Sequence, residues 1–323
     1  MSNNNNIAYI FPGQGSQKVG MLSELAAAYP AVAATFAEAS AVLGYDLWHK
    51  VSVGPDTELN QTEMTQPALL TASIAAWRVW QQVSPFRPAY LAGHSLGEWS
   101  ALVASRVIAF PEALRLVRLR GKFMQEALPE GEGAMAAIIG LQDDLVEKAC
   151  HLAEQDHPGM VVAAVNYNSP GQLVIAGNKL AVGTAASQAL ELGAKRVLPL
   201  PVSAPFHTSL MKGAAEKLAA EMRSTKFSVP EIPIIHNVSK AEERDPNQIR
   251  ELMITQIYSP VPWVDCVHSL RARGVDTLVE CGPGRVLLGL CKRIDRKLRL
   301  LNVETPSSFE STTEALAELV PQV

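Results

Sequence analysis

Residues 89–100 read AYLAGHSLGEWS. A short apolar run, Ala89–Ala92, stops at Gly93. Gly93-His94-Ser95-Leu96-Gly97 follows, and the chain continues as EWSALVAS, which has helical character. A strand that becomes a helix through one tight corner is the recurring joint of an α/β protein. The corner also poses a chemical question. Gly-x-Ser-x-Gly between strand and helix is the pattern in which a serine hydroxyl stands clear of a sharp turn, at a helix N-terminus whose unpaired N–H groups favour developing negative charge. The alternative is a packing turn whose serine caps the helix. This stretch alone leaves both readings open.

Outward from the corner the same rhythm repeats. Towards the N-terminus, NIAYIFPGQGSQ reads as a buried strand, Ile7–Phe11, ending in a Gly-rich loop. The Ala-rich SELAAAYPAVAATFAEASAVLG and QPALLTASIAAWRVWQQV read as helical, the second ended by SPFRP. Strand, loop and helix in alternation predict a mainly parallel sheet. From about Pro129 the pattern changes. GAMAAIIGL is a strand, DDLVEKACHLAEQ a helix, MVVAAVNY and QLVIAG strands about an NSPG turn, KLAVGTAASQALEL a helix and KRVLPL a strand. The order β-α-β-β-α-β is that of a ferredoxin-like unit. The expected fold class is therefore α/β: a large hydrolase-like domain over residues 1–128 and 202–323, with an inserted ferredoxin-like unit over residues 129–201. The large domain resumes with a helix from about Thr208, strands IPIIHN and VDTLVEC, and the turn-helix GPGRVLLGLCKR. The Asn run at the N-terminus reads as a frayed end.

Composition narrows the function. Of 323 residues 48% are hydrophobic and 19% charged, which suits a globular chain with a sizeable core. A net charge of −4 argues against nucleic acid as a partner. No segment has the pattern of a signal peptide or a membrane span. Cys150, Cys266, Cys281 and Cys291 form no CxxC pair and have no histidine at zinc-ligand spacing, so the expectation is free thiols in a reducing cytoplasm.

A nucleophilic serine needs a base. Of the seven histidines, His207 follows a strand and a Pro-rich loop, LPLPVSAPFHT, where an α/β sheet presents loop residues at strand ends. His94 adjoins Ser95 and should point away from it, in a structural role, and His236 suits a satisfied core position. The acids between Ser95 and His207 lie mostly on helix faces or in the inserted unit. None ends a strand of the large domain, so the imidazole is expected to be oriented by a neutral group.

In PEALRLVRLRGKFMQEAL, residues 111–128, one helical face carries Ala113, Leu116, Val117, Phe123, Met124 and Ala127. Arg115, Arg118 and Lys122 share the opposite face. Arg120 lies inside the apolar stripe. A cation there is either paired with an unseen acid or lines a cleft as a carboxylate receptor.

Together these residues resemble the malonyl-CoA:acyl-carrier-protein transacylases of type II fatty-acid synthesis. The resemblance rests on FPGQGSQ at 11–17, GHSLGE at 93–98, RGKFMQEALPEGEGAMAAIIGL at 120–141, NSPGQLVIAG at 168–177, LPLPVSAPFH at 198–207, YSPVPW at 258–263 and GPGRVL at 282–287. It implies Ser95 as nucleophile, His207 as base and Arg120 as clamp for the malonate carboxylate. Gln14 and Leu96 would supply oxyanion-hole N–H groups, and Gln256 would orient His207 through its backbone carbonyl. Phe206, where some relatives carry serine, should crowd an α-substituent and favour malonyl over methylmalonyl. Malonyl-CoA and holo acyl carrier protein are the implied partners, with no metal or redox cofactor, and a monomer is expected. A serine thioester hydrolase, a trans-acting acyltransferase of a polyketide synthase and a non-catalytic binding module are the rivals. The basic run Lys292–Arg299 is either a solvated face or a docking patch for an acidic carrier or CoA phosphates.

Overall fold

The computed structural model describes residues 6–319. Of the N-terminal Asn run only Asn6 falls within that range, so the expected fraying lies outside the described residues. The nine strands among the described residues are β1 (Ile7–Phe11), β2 (Tyr90–Gly93), β3 (Gly133–Ile139), β4 (Val162–Ser169), β5 (Gln172–Asn178), β6 (Arg196–Pro199), β7 (Ile234–Ile235), β8 (Thr277–Cys281) and β9 (Arg299–Val303). They form two sheets. The larger has order β7-β2-β1-β8-β9 and every pairing in it is parallel. The smaller has order β4-β5-β3-β6 and every pairing in it is antiparallel.

The central strand shows why the larger sheet is parallel. All five side chains of IAYIF are buried, as a strand covered on both faces requires. Ile7, Tyr9 and Phe11 join the main core, while Ala8 and Ile10 join a second core with Trp263, Val267 and Leu288. Tyr9 meets Trp77 and Trp80 edge-on, with ring centroids 5.7 and 5.9 Å apart. Such pairs contribute about 0.5–1.5 kcal/mol each beyond area burial, and these lock the helix Thr62–Val83 against the sheet.

The smaller sheet is also sandwiched. Ala136, Ile138, Leu173 and Ile175 pack with the helices Asp143–Asp156 and Lys179–Glu191, whereas Met135, Ala137, Val174 and Ala176 belong to the main core. Its edge strand β4 carries irregularities between Ala164 and Asn166 and between Tyr167 and Ser169. There it bonds the segment before the helix Trp263–Ala272, Val261 N donating to Val165 O (2.7 Å) and Tyr167 N to Val261 O (3.0 Å).

Three features depart from the expected element list. Pro30 divides the first Ala-rich stretch into helices Ser23–Ala28 and Pro30–Leu43, because proline suits a helix's first residue and not its interior. Strand β9 and the helix Pro306–Ala317 were not expected. β9 is an edge strand with only Val303 fully buried, so it lacks the unbroken apolar run that marked β1.

Candidate active site

The corner at Ser95 is built by contact, not by propensity. A Cβ on Gly93 would overlap the Gly97 carbonyl and the Glu98 amide, and one on Gly97 would overlap the Phe11 carbonyl. Only glycine lets the helix Leu96–Ala104 start hard against the ends of β1 and β2. Ser95 itself takes φ 51°, ψ −106°, a conformation that surrounding bonds must hold. Asn237, just past β7, accepts from Ser95 N (2.9 Å) and donates to Gly93 O (2.8 Å). Gln256 Nε2 donates to Ser95 O (3.0 Å).

The Ser95 Oγ lies 2.8 Å from His207 Nε2, and His207 Nδ1 lies 2.8 Å from the Gln256 carbonyl oxygen. A carbonyl can only accept, so Nδ1 carries the proton and Nε2 presents its lone pair to the serine hydroxyl. His207 is 4% exposed and sits at φ 65°. Burial first, and then the charge of Arg120, pull its pKa from 6.5 down to about 3. The imidazole is therefore neutral at physiological pH and able to take a proton.

Arg120 is 2% exposed, on the helix Phe110–Gln125. Its Nη1 donates to Gln66 Oε1 (2.9 Å), and its Nη2 to Ser95 Oγ (3.1 Å) and Gln256 Oε1 (3.0 Å). Nε has no partner among the described residues. No carboxylate there forms an ion pair with it either, whereas Arg115 pairs with Glu221 and Arg118 with Glu63. Burial lowers the Arg120 pKa to about 10, which leaves it cationic at neutral pH. A buried cation bonded only to neutral oxygens is unusual, because desolvation normally demands a counter-charge.

These groups open onto a cavity of about 260 Å³ between the two sheets, lined by Gln14, Leu96, Met135, Asn166, Val202 and Phe206 among others. Gln14 follows β1, and Leu96 opens the helix after Ser95, where first-turn amides lack helical partners. Phe206 is buried beside His207 and walls the cavity. His94 bonds Asn168 Oδ1 (2.8 Å) instead of the serine. The residues of the basic run Lys292–Arg299 lie outside this lining, with Lys292 and Arg296 on a separate surface groove. Sequence reasoning missed Gln66, Asn237 and Glu98 as parts of this cluster. The only signal was polarity out of place: Glu98 on an otherwise apolar helix, and Asn237 beside His236 at a strand end. A hydroxyl, an oriented neutral imidazole and amides at a helix N-terminus are the parts needed to make and break an acyl-serine.

Comparison with known proteins agrees. The acyl transferase domain family matches residues 8–303. The malonyl CoA-acyl carrier protein transacylase of Salmonella typhimurium is 55% identical over 304 residues, covering 94% of this chain and 97% of that protein. A crystal structure of an acyl carrier protein S-malonyltransferase from Vibrio cholerae matches with a TM-score of 0.92 and 55% identity, over 95% of this chain and 99% of that one. A malonyl-transacylase described in complex with a type II PKS acyl-carrier protein matches with a TM-score of 0.94 and 51% identity, over 96% and 99%. The chain belongs to the acyl transferase domain family.

Proposed function

We propose that this protein transfers a malonyl group from malonyl-CoA to the phosphopantetheine thiol of holo acyl carrier protein, by way of a malonyl-serine ester. The observation that carries the reading is Arg120: a buried cation with no carboxylate partner among the described residues, 3.1 Å from the Ser95 hydroxyl. A substrate carboxylate supplies the missing counter-charge and fixes the acyl group over the nucleophile.

In the first half-reaction Ser95 Oγ attacks the thioester carbon while its proton passes to His207 Nε2. The amides of Gln14 and Leu96 receive the oxyanion. The tetrahedral adduct collapses, the C–S bond breaks, and the departing CoA thiolate takes the proton from His207. In the second half the carrier's thiol gives its proton to His207 and attacks the ester carbonyl. The C–O bond breaks and Ser95 recovers its proton. The Gln256 carbonyl keeps the imidazole in the working tautomer throughout, and Phe206 narrows the wall beside the acyl carbon. No step routes through a metal or redox cofactor. Residues 129–201 act as the inserted unit that roofs the cleft. A monomer working in the cytoplasm is the simplest setting, and four buried free thiols suit it.

Intact-protein mass spectrometry tests this. Brief mixing with malonyl-CoA should add one malonyl group to Ser95, and holo acyl carrier protein should then remove it and carry it. An adduct that drains to free malonate equally fast with or without the carrier identifies a hydrolase instead.

A further inference from the structure

Behind the serine lies a buried carboxylate that the reaction above does not use. Glu98, third residue of the helix Leu96–Ala104, is 1% exposed. Its Oε1 accepts from His236 Nδ1 (2.7 Å), and its Oε2 accepts from Asn237 N (3.1 Å) and Gln256 Nε2 (2.7 Å). The last bond matters most. The Gln256 Nε2 faces the Glu98 carboxylate and the Ser95 carbonyl, and neither the carboxylate nor the carbonyl can donate. The carboxamide therefore has one permitted orientation, with Oε1 turned towards Arg120 Nη2 (3.0 Å).

We propose that Glu98 is a positioning residue for acyl-group selection: acting through the Gln256 carboxamide, it holds the Arg120 guanidinium beside Ser95, ready for the substrate carboxylate. Without the carboxylate, Gln256 Nε2 keeps only the neutral Ser95 carbonyl (3.0 Å) and the longer bond to Asn237 Oδ1 (3.3 Å), so the carboxamide loses its charge-assisted anchor and holds the guanidinium beside the serine less firmly. Glu98 is also the acid whose charge favours the cationic form of Arg120. It does so from across an amide, which leaves the guanidinium edge available where a direct ion pair would occupy it. His236 and Asn237 N hold the carboxylate in place from the other side.

The inference rests on the reading of Arg120 as the malonyl receptor, and the test separates the two. The quantity to measure is the ratio of kcat/KM for malonyl-CoA to that for acetyl-CoA. Glu98→Ala should lower it at least about tenfold, the scale of one charge-assisted hydrogen bond. Glu98→Gln keeps an acceptor for Gln256 Nε2 and Asn237 N, while its NH2 can donate to His236 once that ring shifts its proton to Nε2, so it should restore most of the ratio. Gln256→Ala should lower the ratio as Glu98→Ala does, and the double variant should fall no further, because both act on Arg120 through one side chain. A purely structural Glu98 predicts multiplying effects and an unchanged ratio in Glu98→Ala, and either result overturns the proposal. If Glu98→Ala does not fold, Glu98→Asp decides, since it keeps the charge and withdraws it from Gln256: a lowered ratio supports the proposal and an unchanged one overturns it. Arg120→Ala is the control. If it leaves the ratio intact, the receptor reading itself fails. If it collapses the ratio while Glu98→Ala does not, only the role of Glu98 fails.

Discussion

At the scale of single residues, two positive-φ side chains face each other, Ser95 at φ 51° and His207 at φ 65°. Ser95→Ala should give no malonyl adduct by intact mass, and an adduct on that variant would end the nucleophile assignment. Arg120 acts on His207 by its charge, besides the part proposed for it towards substrate. That charge, after burial, keeps the imidazole pKa low, at about 3, so the acid limb of Ser95 acylation in the free enzyme should fall well below the usual histidine value of 6.5. Arg120→Gln removes the charge and should move that limb to higher pH. The pH dependence of modification by a small neutral serine-directed reagent reads this directly. A limb that stays put separates the two groups. Substrate binding should act in the same direction as the variant, because a carboxylate on Arg120 cancels the same field and makes His207 a stronger base when the thioester is in place.

At the scale of elements, the corner between β2 and the helix Leu96–Ala104 is the most exacting joint. Gly97→Ala drives a methyl group into the Phe11 carbonyl, backbone against backbone, and neither side can yield cheaply. It should destabilise by about 1–3 kcal/mol and slow acylation at least about tenfold, since a small displacement of a nucleophile costs rate steeply. Gly183→Ala is the matched control. It lies on an exposed helix face with open space about its Cβ and should be neutral or stabilising by up to about 1 kcal/mol. Urea midpoints and acylation rates of the pair check both statements. The corner was legible in the sequence because its chemistry is local: two glycines around a serine, after four apolar residues. The four small-sheet strands were legible for the same reason. β9 was not, because it lies at a sheet edge and its first residue, Arg299, closes the basic run that begins at Lys292. Among site residues, Arg120 stood out as a cation in an apolar stripe. Gln66 and Asn237 did not, because a neutral amide looks alike in a loop, on a surface and inside a cluster until long-range contacts give it partners.

At the scale of the molecule, two buried groups pull stability in opposite directions as pH falls. The native pKa of His207 lies below its unfolded value, so from about 6.5 downwards the unfolded chain takes up a proton that the native state refuses, and stability is lost. Glu280 runs the other way. Burial raises its native pKa from 4.5 to about 7, against two amide hydrogen bonds from Leu287 and Leu288 at a helix start. Between about 7 and 4.5 the native state takes up the proton first and gains stability. Each contribution is on the order of a few kcal/mol. Glu280→Gln removes the offset, so its stability should fall more steeply with acid across that window than the unsubstituted protein's. Denaturant midpoints at a series of pH values measure the difference, and parallel curves would contradict it. The seam at Val261 has a different consequence. Because the edge of the small sheet is hydrogen-bonded into the segment that follows Gln256, the two sheets cannot open independently there. The amides of Tyr167 and Val261 should therefore exchange with deuterium in step, through one cooperative opening that also releases the carbonyl behind His207. Slow exchange at this seam would report how long the His207 imidazole stays aimed at Ser95.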